Sequence, residues 1–323
     1  VTQINESVAR IEELNVLFIE TTIYNTTSSN LEDERRAELE TLSSLININY
    51  FINNDNEVQI YTGGRPLLAS QARPIEYTAN TNLDKTTIYP AGFGPIDLDG
   101  FDLTPVLKQG ELGALVELRD GAFVEEQAKM DEYSNVLIRE LNTLLNTGAS
   151  VPATADVIGE AQGLTGATLL GATGSIRIAT TDVNGVVQNF ADINLGGLAD
   201  VPALLGAING ALGPDVTASL TAGGELRILA NNAGEGIAIN QLDSVFAGPE
   251  TFSMRFGLNN LFDGTGADDI SVSQYLLDNG ENLATSTLSA DPLLAIGDVG
   301  VNIGDSSLTT LMNNAFTTDY GYN

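Results

Sequence analysis

One stretch decides the fold: GELGALVELRDGAFVEEQAKMDEYSNVLIRELNTLLNTG, residues 110–148. Large apolar residues recur in it every seven positions, with two more on the same helical face: Val116, Phe123, Met130, Leu137 and Leu144, and then Tyr133 and Leu141. This spacing predicts one helix from about Glu111 to Asn146. Such a helix is on the order of 50 Å long, and Gly148 is a typical residue just beyond a helix end.

The apolar stripe of this helix must be covered by something. We interpret most of it as core of its own domain, and we therefore expect a charge at Met130 to destabilise that domain by several kcal/mol, on the order of other buried charges. The alternative is that part of the stripe contacts neighbouring subunits.

The residues before this helix predict a helical hairpin followed by strands. Apolar residues spaced by three and four predict a first helix over about 1–23, and a polar loop at 25–30 leads into a second helix with Leu31, Leu39, Leu42 and Leu45. Two β-type runs, 48–52 and 58–62, flank the turn-forming residues 53–56. The stretch 71–110, rich in Pro and Gly, indicates extended strands and loops.

The composition changes after Ala149, where charged residues become rare and Gly, Ala and Thr dominate. Two hairpins are predicted, 175–180 with 186–193 and 216–220 with 226–230, and a short helix lies between them at 201–212. We therefore predict three parts: residues 1–148 and 251–323 form a core domain, and residues 149–250 form an inserted β-rich module. The predicted fold class is α+β, an elongated domain of long helices and β-hairpins with this insert.

Composition excludes several classes of function. The chain has 13 Lys and Arg against 43 Asp and Glu, a formal charge of -30, so it lacks the basic surface that binds nucleic acid or an anionic membrane. It contains no Cys, His or Trp, which removes thiol catalysis, Ser-His nucleophiles and the common zinc sites. No membrane span or leader peptide is predicted, and we expect the chain, which begins with Val1, to be a core without its terminal helices.

Two acidic loops have some features of a metal site. Residues 97–102 (DLDGFD) have the alternating acids of a calcium loop, but Lys108 occupies the twelfth position, where a Glu is needed. Residues 263–269 (DGTGADD) fit a turn better than a metal loop. With so many acids, pairs of carboxylates arise by chance, and no glycine loop has a phosphate-binding pattern. We therefore predict no catalytic, cofactor or metal residues and no cofactor.

Several stretches together resemble the flagellar hook-associated protein 1 family (FlgK), whose members form the junction between hook and filament. The stretches that carry the resemblance are residues 30–39, Asn47-Ile48, Gly63 to Leu67, Gly110 to Asp120, Leu141-Asn142, Phe256 to Phe262 and Asp268 to Val272. Residues 213–228 are also similar to modules that are found in flagellins and hook-associated proteins.

The resemblance implies a secreted, extracellular structural protein of the bacterial flagellum and not an enzyme. Its implied partners are hook protein, neighbouring junction subunits and the next junction protein, with a cognate export chaperone for the full-length protein. Neither nucleic acid nor membrane is a partner, and we expect this chain, without terminal helices, to be a monomer. The alternatives are another axial protein, either flagellin or the distal junction protein, and a secreted adhesin or glycan-binding module.

Overall fold

The computed structural model describes residues 1–24, 29–248 and 250–315. The chain divides into two compact units, Val1–Met130 and the residues from Asp131 onward. Both units combine helices with small antiparallel sheets, so the predicted α+β class is confirmed. None of the helices in the described ranges is long and apolar enough to cross a membrane.

The first unit contains the helical hairpin and two small sheets. Its elements are α1 (Thr2–Tyr24), α2 (Ser29–Leu45), β1 (Asn49–Ile52), β2 (Val58–Thr62), β3 (Arg65–Leu68), β4 (Ile75–Glu76), β5 (Asp97–Leu98), β6 (Phe101–Asp102) and α3 (Gly110–Glu117). A π-helical turn (Leu118–Ala122) joins α3 to α4 (Phe123–Leu145), which continues into the second unit. The predicted long helix is thus confirmed within one residue at each end.

The second unit contains the remaining elements. They are β7 (Asp156–Ile158), β8 (Ser175–Thr181), β9 (Val187–Asn194), α5 (Val201–Leu212), β10 (Val216–Leu220), β11 (Leu226–Ala230), β12 (Gly236–Asn240), α6 (Phe252–Phe256), β13 (Phe262–Asp263), β14 (Ser271–Val272), α7 (Gln274–Asp278) and α8 (Ser307–Ala315). The helix predicted at 201–212 and the hairpin of β10 and β11 have the predicted bounds. An apolar helical pattern in the sequence over residues 308–316 predicts the last helix, and its final residue, Phe316, lies outside the described residues.

The core of the first unit lies between the helical hairpin and the sheet β1-β2-β3. The apolar residues of α1 that predicted its helical face are all buried: Ile4, Val8, Ile11, Leu14 and Phe18. Val58 and Ile60 on β2 are fully buried against the same core, whereas every residue of β1 is exposed. The middle strand is therefore covered by the helices and the edge strand β1 is not.

Two asparagines of α1 bind the backbone of strands. The Asn15 amide donates to the carbonyl of Val58 and accepts from its N–H, both at 2.9 Å. Asn5 makes the same pair of bonds with Ile75, again at 2.9 Å. A carboxamide has one donor and one acceptor side by side, as a peptide group has, so each asparagine occupies the place of an adjacent strand. These bonds fix the position of α1 on β2 and β4.

The second unit has one large core. Sheets β12-β8-β9 and β10-β11-β7 surround α5, and the buried residues run from Val157 to Leu258. Phe246, Phe252 and Phe256 form an aromatic group in it, with ring centroids 5.0 to 6.4 Å apart. The core of the predicted insert therefore includes residues beyond 250. The three-part division at 149 and 250 stays a prediction.

Replacing Asn15 by Leu should destabilise the first unit. Leu has the same number and branching of side-chain heavy atoms but leaves the N–H and carbonyl of Val58 without partners, at a cost of about 2 to 4 kcal/mol. Denaturant unfolding followed by far-ultraviolet circular dichroism measures this change. The control is Asn30→Leu on the exposed surface of α2. Equal, small effects of the two substitutions would show that the Asn15 bonds do not hold α1 in place.

Candidate assembly surface

The long helix begins at a glycine that the packing requires. Gly110 has φ +75°, and a Cβ at this position would lie 2.7 Å from the nitrogen of Ile46. At Gly113, one turn later, a Cβ would lie 3.0 Å from the carbonyl carbon of Lys108. The start of α3 thus lies against the end of α2 at Gly110 and against the backbone of residues 107–108 at Gly113, and the two glycines permit these close approaches.

The π-helical turn changes the direction of the side chains that follow it. The N–H of Phe123 donates to the carbonyl of Leu118, five residues earlier, so the turn holds one residue more than an α-helical turn. This extra residue rotates α4 by about 100° relative to the phase of α3. The seven-residue register that joins Val116 to Phe123 in the sequence is therefore broken at this turn.

Arg119 stabilises the π-helical turn. Its guanidinium binds both carboxylate oxygens of Asp120, at 2.5 and 2.7 Å. It also lies over the ring of Phe93, 4.7 Å from the centroid, and 5.6 Å from the centroid of Tyr89. The Tyr89 hydroxyl donates in turn to Asp102, which raises the pKa of Tyr89. Tyr89 and Phe93 thus contact the turn at which the helix changes phase, through the side chain of Arg119.

The prediction that the stripe is core of its own domain is wrong for its middle part. Val116 and Leu141 are buried, but Phe123 is 65% exposed, Met130 57% and Tyr133 50%. Leu137 and Leu144 are half-buried. The physical reason is the π-helical turn, which directs Phe123 and the residues in phase with it away from the core that holds Val116.

The helix has exposed apolar residues along one side, with the polar Glu126 and Gln127 between Phe123 and Met130, and we call this side the exposed helix face. It consists of Leu115, Leu118, Phe123 and Met130, and each of them is at least two-fifths exposed. The π-helical bond places Phe123 above Leu118, and Met130 lies two turns further along the same side. A row of large apolar side chains that remains in water is typical of a surface that another chain covers.

The two acidic loops use their carboxylates for their own turns. Asp97 accepts from the N–H of Gly100 at 2.7 Å, Asp102 accepts from the N–H of Thr104 at 2.8 Å, and Asp99 pairs with Arg73 at 2.7 Å. In the other loop, Asp269 accepts from the N–H groups of Thr265 and Gly266. Within the described ranges, no three acids are grouped so that they could hold a metal ion.

A buried carboxyl group was missed in the sequence. Burial, and then the nearby carboxyl of Asp263, raise the pKa of Glu160 to about 7, while the hydroxyl of Ser273 and the amide of Asn260 act in the opposite direction. Ser273 donates to the Glu160 carboxylate. No pattern in the sequence joins residue 160 to residues 260–273, because the contact is made by the fold.

Asparagines bring together stretches that carry the family resemblance. Asn142, near the end of α4, accepts from the N–H groups of Leu261 and Phe262 at 2.8 and 3.0 Å and donates to the carbonyl of Phe262 at 2.8 Å. Asn146, one turn later, accepts from the N–H of Asn259 at 3.0 Å. The end of the long helix is thus bonded to the backbone of residues 259–262.

The helical domain of the flagellar hook-associated protein FlgK, as a family model, matches residues 1–163, just over half of the chain's 323 residues. The chain belongs to the FlgK family. The family predicted from the residues around Gly110 is therefore confirmed. No curated protein matches the sequence.

Two solved flagellar proteins are similar in structure. FlgK, the flagellar hook junction protein of Burkholderia pseudomallei, is 17% identical with a TM-score of 0.40, over 89% of this chain and 49% of that one. The D1-D2-D3 domains of the flagellar cap protein FliD from Escherichia coli are 14% identical with a TM-score of 0.19, over 61% of this chain and 66% of that one. The chain thus spans about half the length of the hook junction protein.

Met130→Asp should leave the stability of the chain nearly unchanged, because the side chain lies in water. We expect a change within about 0.5 kcal/mol, smaller than that of Lys129→Asp beside it, which would lose the ion pairs of Lys129 with Glu125 and Glu126. Leu141→Asp, at a buried position of the same helix, should cost more than about 3 kcal/mol. Denaturant titrations of the three variants measure this. A large loss for Met130→Asp would show that the exposed helix face is core after all.

The free energy of unfolding should depend on the protonation of Glu160. Its pKa is raised in the folded state to about 7, so its contribution is fully present below the unfolded pKa of about 4.3 and is lost as the pH rises through about 7. Glu160→Gln should remove this component and make the stability curve flatter. The exposed Glu132→Gln is the control, and an unchanged slope in Glu160→Gln would contradict the assignment.

Proposed function

We propose that the chain is a structural subunit of the bacterial flagellum that joins the hook to the filament. The exposed helix face carries this proposal. A structural subunit works through broad surfaces that neighbouring chains cover, and a subunit contact is rich in large apolar side chains at its centre. Membership of the FlgK family supports the same function and disfavours flagellin and the distal junction protein as alternatives.

The partners that this function requires are hook protein, neighbouring junction subunits and the next junction protein along the flagellum. The full-length protein would also bind an export chaperone, and its place would be outside the cell. The charge of -30 opposes association between copies except where apolar surface compensates the repulsion. We therefore propose that this chain is a monomer by itself and that assembly needs the full-length protein.

The insert is proposed as a separate module of this subunit. Its residues 149–250 hold most of the large core of the second unit, which is completed by Phe252, Phe256 and Leu258. Such a module changes what the subunit presents on its surface without changing the helices of the family domain.

The function is tested in cells. Bacteria that lack the full-length protein should export flagellin into the medium and grow no filaments, and the full-length protein should restore them. The double variant Phe123→Asp, Met130→Asp should be folded and exported but should not restore filaments, since two charges would enter the subunit contact. Leu293→Asp, at a position that is 85% exposed in the second unit, is the matched control.

Two outcomes would contradict the proposal. Filaments of normal length in cells without the protein would show that the protein is not needed to join the hook to the filament. Restored filaments with the double variant would leave the junction function in place but would show that the exposed helix face takes no part in it.

A further inference from the structure

The edge of β1 has backbone groups without partners. Beyond its end, the N–H of Asn53 donates to the carbonyl of Glu57 at 2.9 Å, and β1 pairs antiparallel with β2 in the register Ile52 to Val58. Hydrogen-bonded pairs alternate along an antiparallel ladder, so Phe51 and Asn49 bond to β2. The N–H and carbonyl groups of Tyr50 and Ile52 therefore point away from the sheet, and no residue in the described part of the chain binds them.

The apolar side chains of β1 are about half exposed to solvent. Tyr50 is 53% exposed, Phe51 51% and Ile52 52%. Tyr50 and Ile52 lie on the side of the sheet that faces α2, where an open groove of about 610 Å³ is lined by Arg36, Leu39, Ser43 and Ile48. Phe51 lies on the opposite side and stacks on Tyr61, with the ring centroids 5.5 Å apart. Both the side chains of β1 and the backbone groups on its outer edge are therefore accessible to another chain.

Outward backbone groups are protected on three other strands, β2, β3 and β9. The outward groups of Val58 on β2 are bound by the Asn15 amide, and β3 contains Pro66, which has no N–H. The edge of β9 is covered by residues 297–298, where Val187 donates to Asp298 at 2.9 Å and accepts from Gly297 at 2.9 Å. By contrast, the strand β1, Asn-Tyr-Phe-Ile, has no charge and no proline along its edge.

We propose that β1 binds an extended segment of a partner chain as an added strand. The free groups of Tyr50 and Ile52 would bond its backbone, and its alternate apolar side chains would enter the groove beside Leu39 and Ile48. The partner segment would be uncharged, because residues 41–54 contain no charged residue and the charged residues that line the groove have no net charge together: Glu32, Glu40, Arg35 and Arg36.

A second copy of this chain does not fit as the occupant. Pairing the β1 strands of two copies would bring together two molecules of charge -30 each, which repel one another.

The test uses the ¹⁵N-labelled chain and the synthetic peptide Ser-Thr-Val-Thr-Val-Thr-Ser. At millimolar peptide, amide hydrogen exchange at Tyr50 and Ile52 should slow at least about tenfold, because their N–H groups become hydrogen-bonded. The same peptide N-methylated at alternate residues should give no protection. Ile52→Lys should abolish binding of the peptide, and Leu115→Lys, at another exposed apolar position, should not.

Three results would overturn the proposal. They are an exchange rate at Tyr50 and Ile52 that millimolar peptide leaves unchanged, equal protection by the N-methylated peptide, and protection that appears without peptide as the protein concentration rises. The last result would assign the edge to a second copy. The N-methylated peptide acts on the unaltered chain, so the test stands even where Ile52→Lys fails to fold.

Discussion

The bond between a side-chain amide and a strand backbone is the interaction on which this structure depends. Asn5 and Asn15 bind the backbones of Ile75 and Val58 and so hold α1 against two sheets. Asn142 binds Leu261 and Phe262 in the same way from α4. The chain has no Cys, and these amide side chains connect segments that are distant in the sequence, as disulfides do in other proteins. Each one supplies a donor and an acceptor to a backbone that would otherwise be unpaired.

These bonds fix the helices, and the π-helical turn then decides which of their residues remain exposed. The turn at Leu118 to Ala122 is supported by Arg119, Phe93 and Tyr89. Because α4 leaves this turn in a new phase, its apolar residues no longer continue the buried row of α3. Because of this local irregularity, apolar residues whose spacing is typical of a buried core form the exposed helix face. A structural subunit can bind its neighbours through such a surface.

The sequence predicts most elements correctly. The predictions fail where one extra residue changes the phase of a helix, and where a strand or side chain contacts a segment that is distant in the sequence. Periodicity and turn residues were sufficient for α1, for α5 and for the hairpins of the insert, since these depend on local patterns. The strands β7 and β12 were missed because they are short and pair only with distant strands. The phase of α4 was missed because Leu118 to Ala122 contain no proline, and Gly121 alone does not distinguish a π-helical turn from a continuous α-helix. The raised pKa of Glu160 comes from burial beside Asp263, which no spacing in the sequence reveals.

A map of intact flagella at the junction between hook and filament would show whether the exposed helix face contacts another subunit. We expect density that fits this chain there, with Phe123 and Met130 in van der Waals contact with a different subunit. Two results would contradict it. In one, the exposed helix face remains in solvent in the assembled flagellum. In the other, it is covered by further residues of the same polypeptide, so that the apolar stripe is core of its own domain.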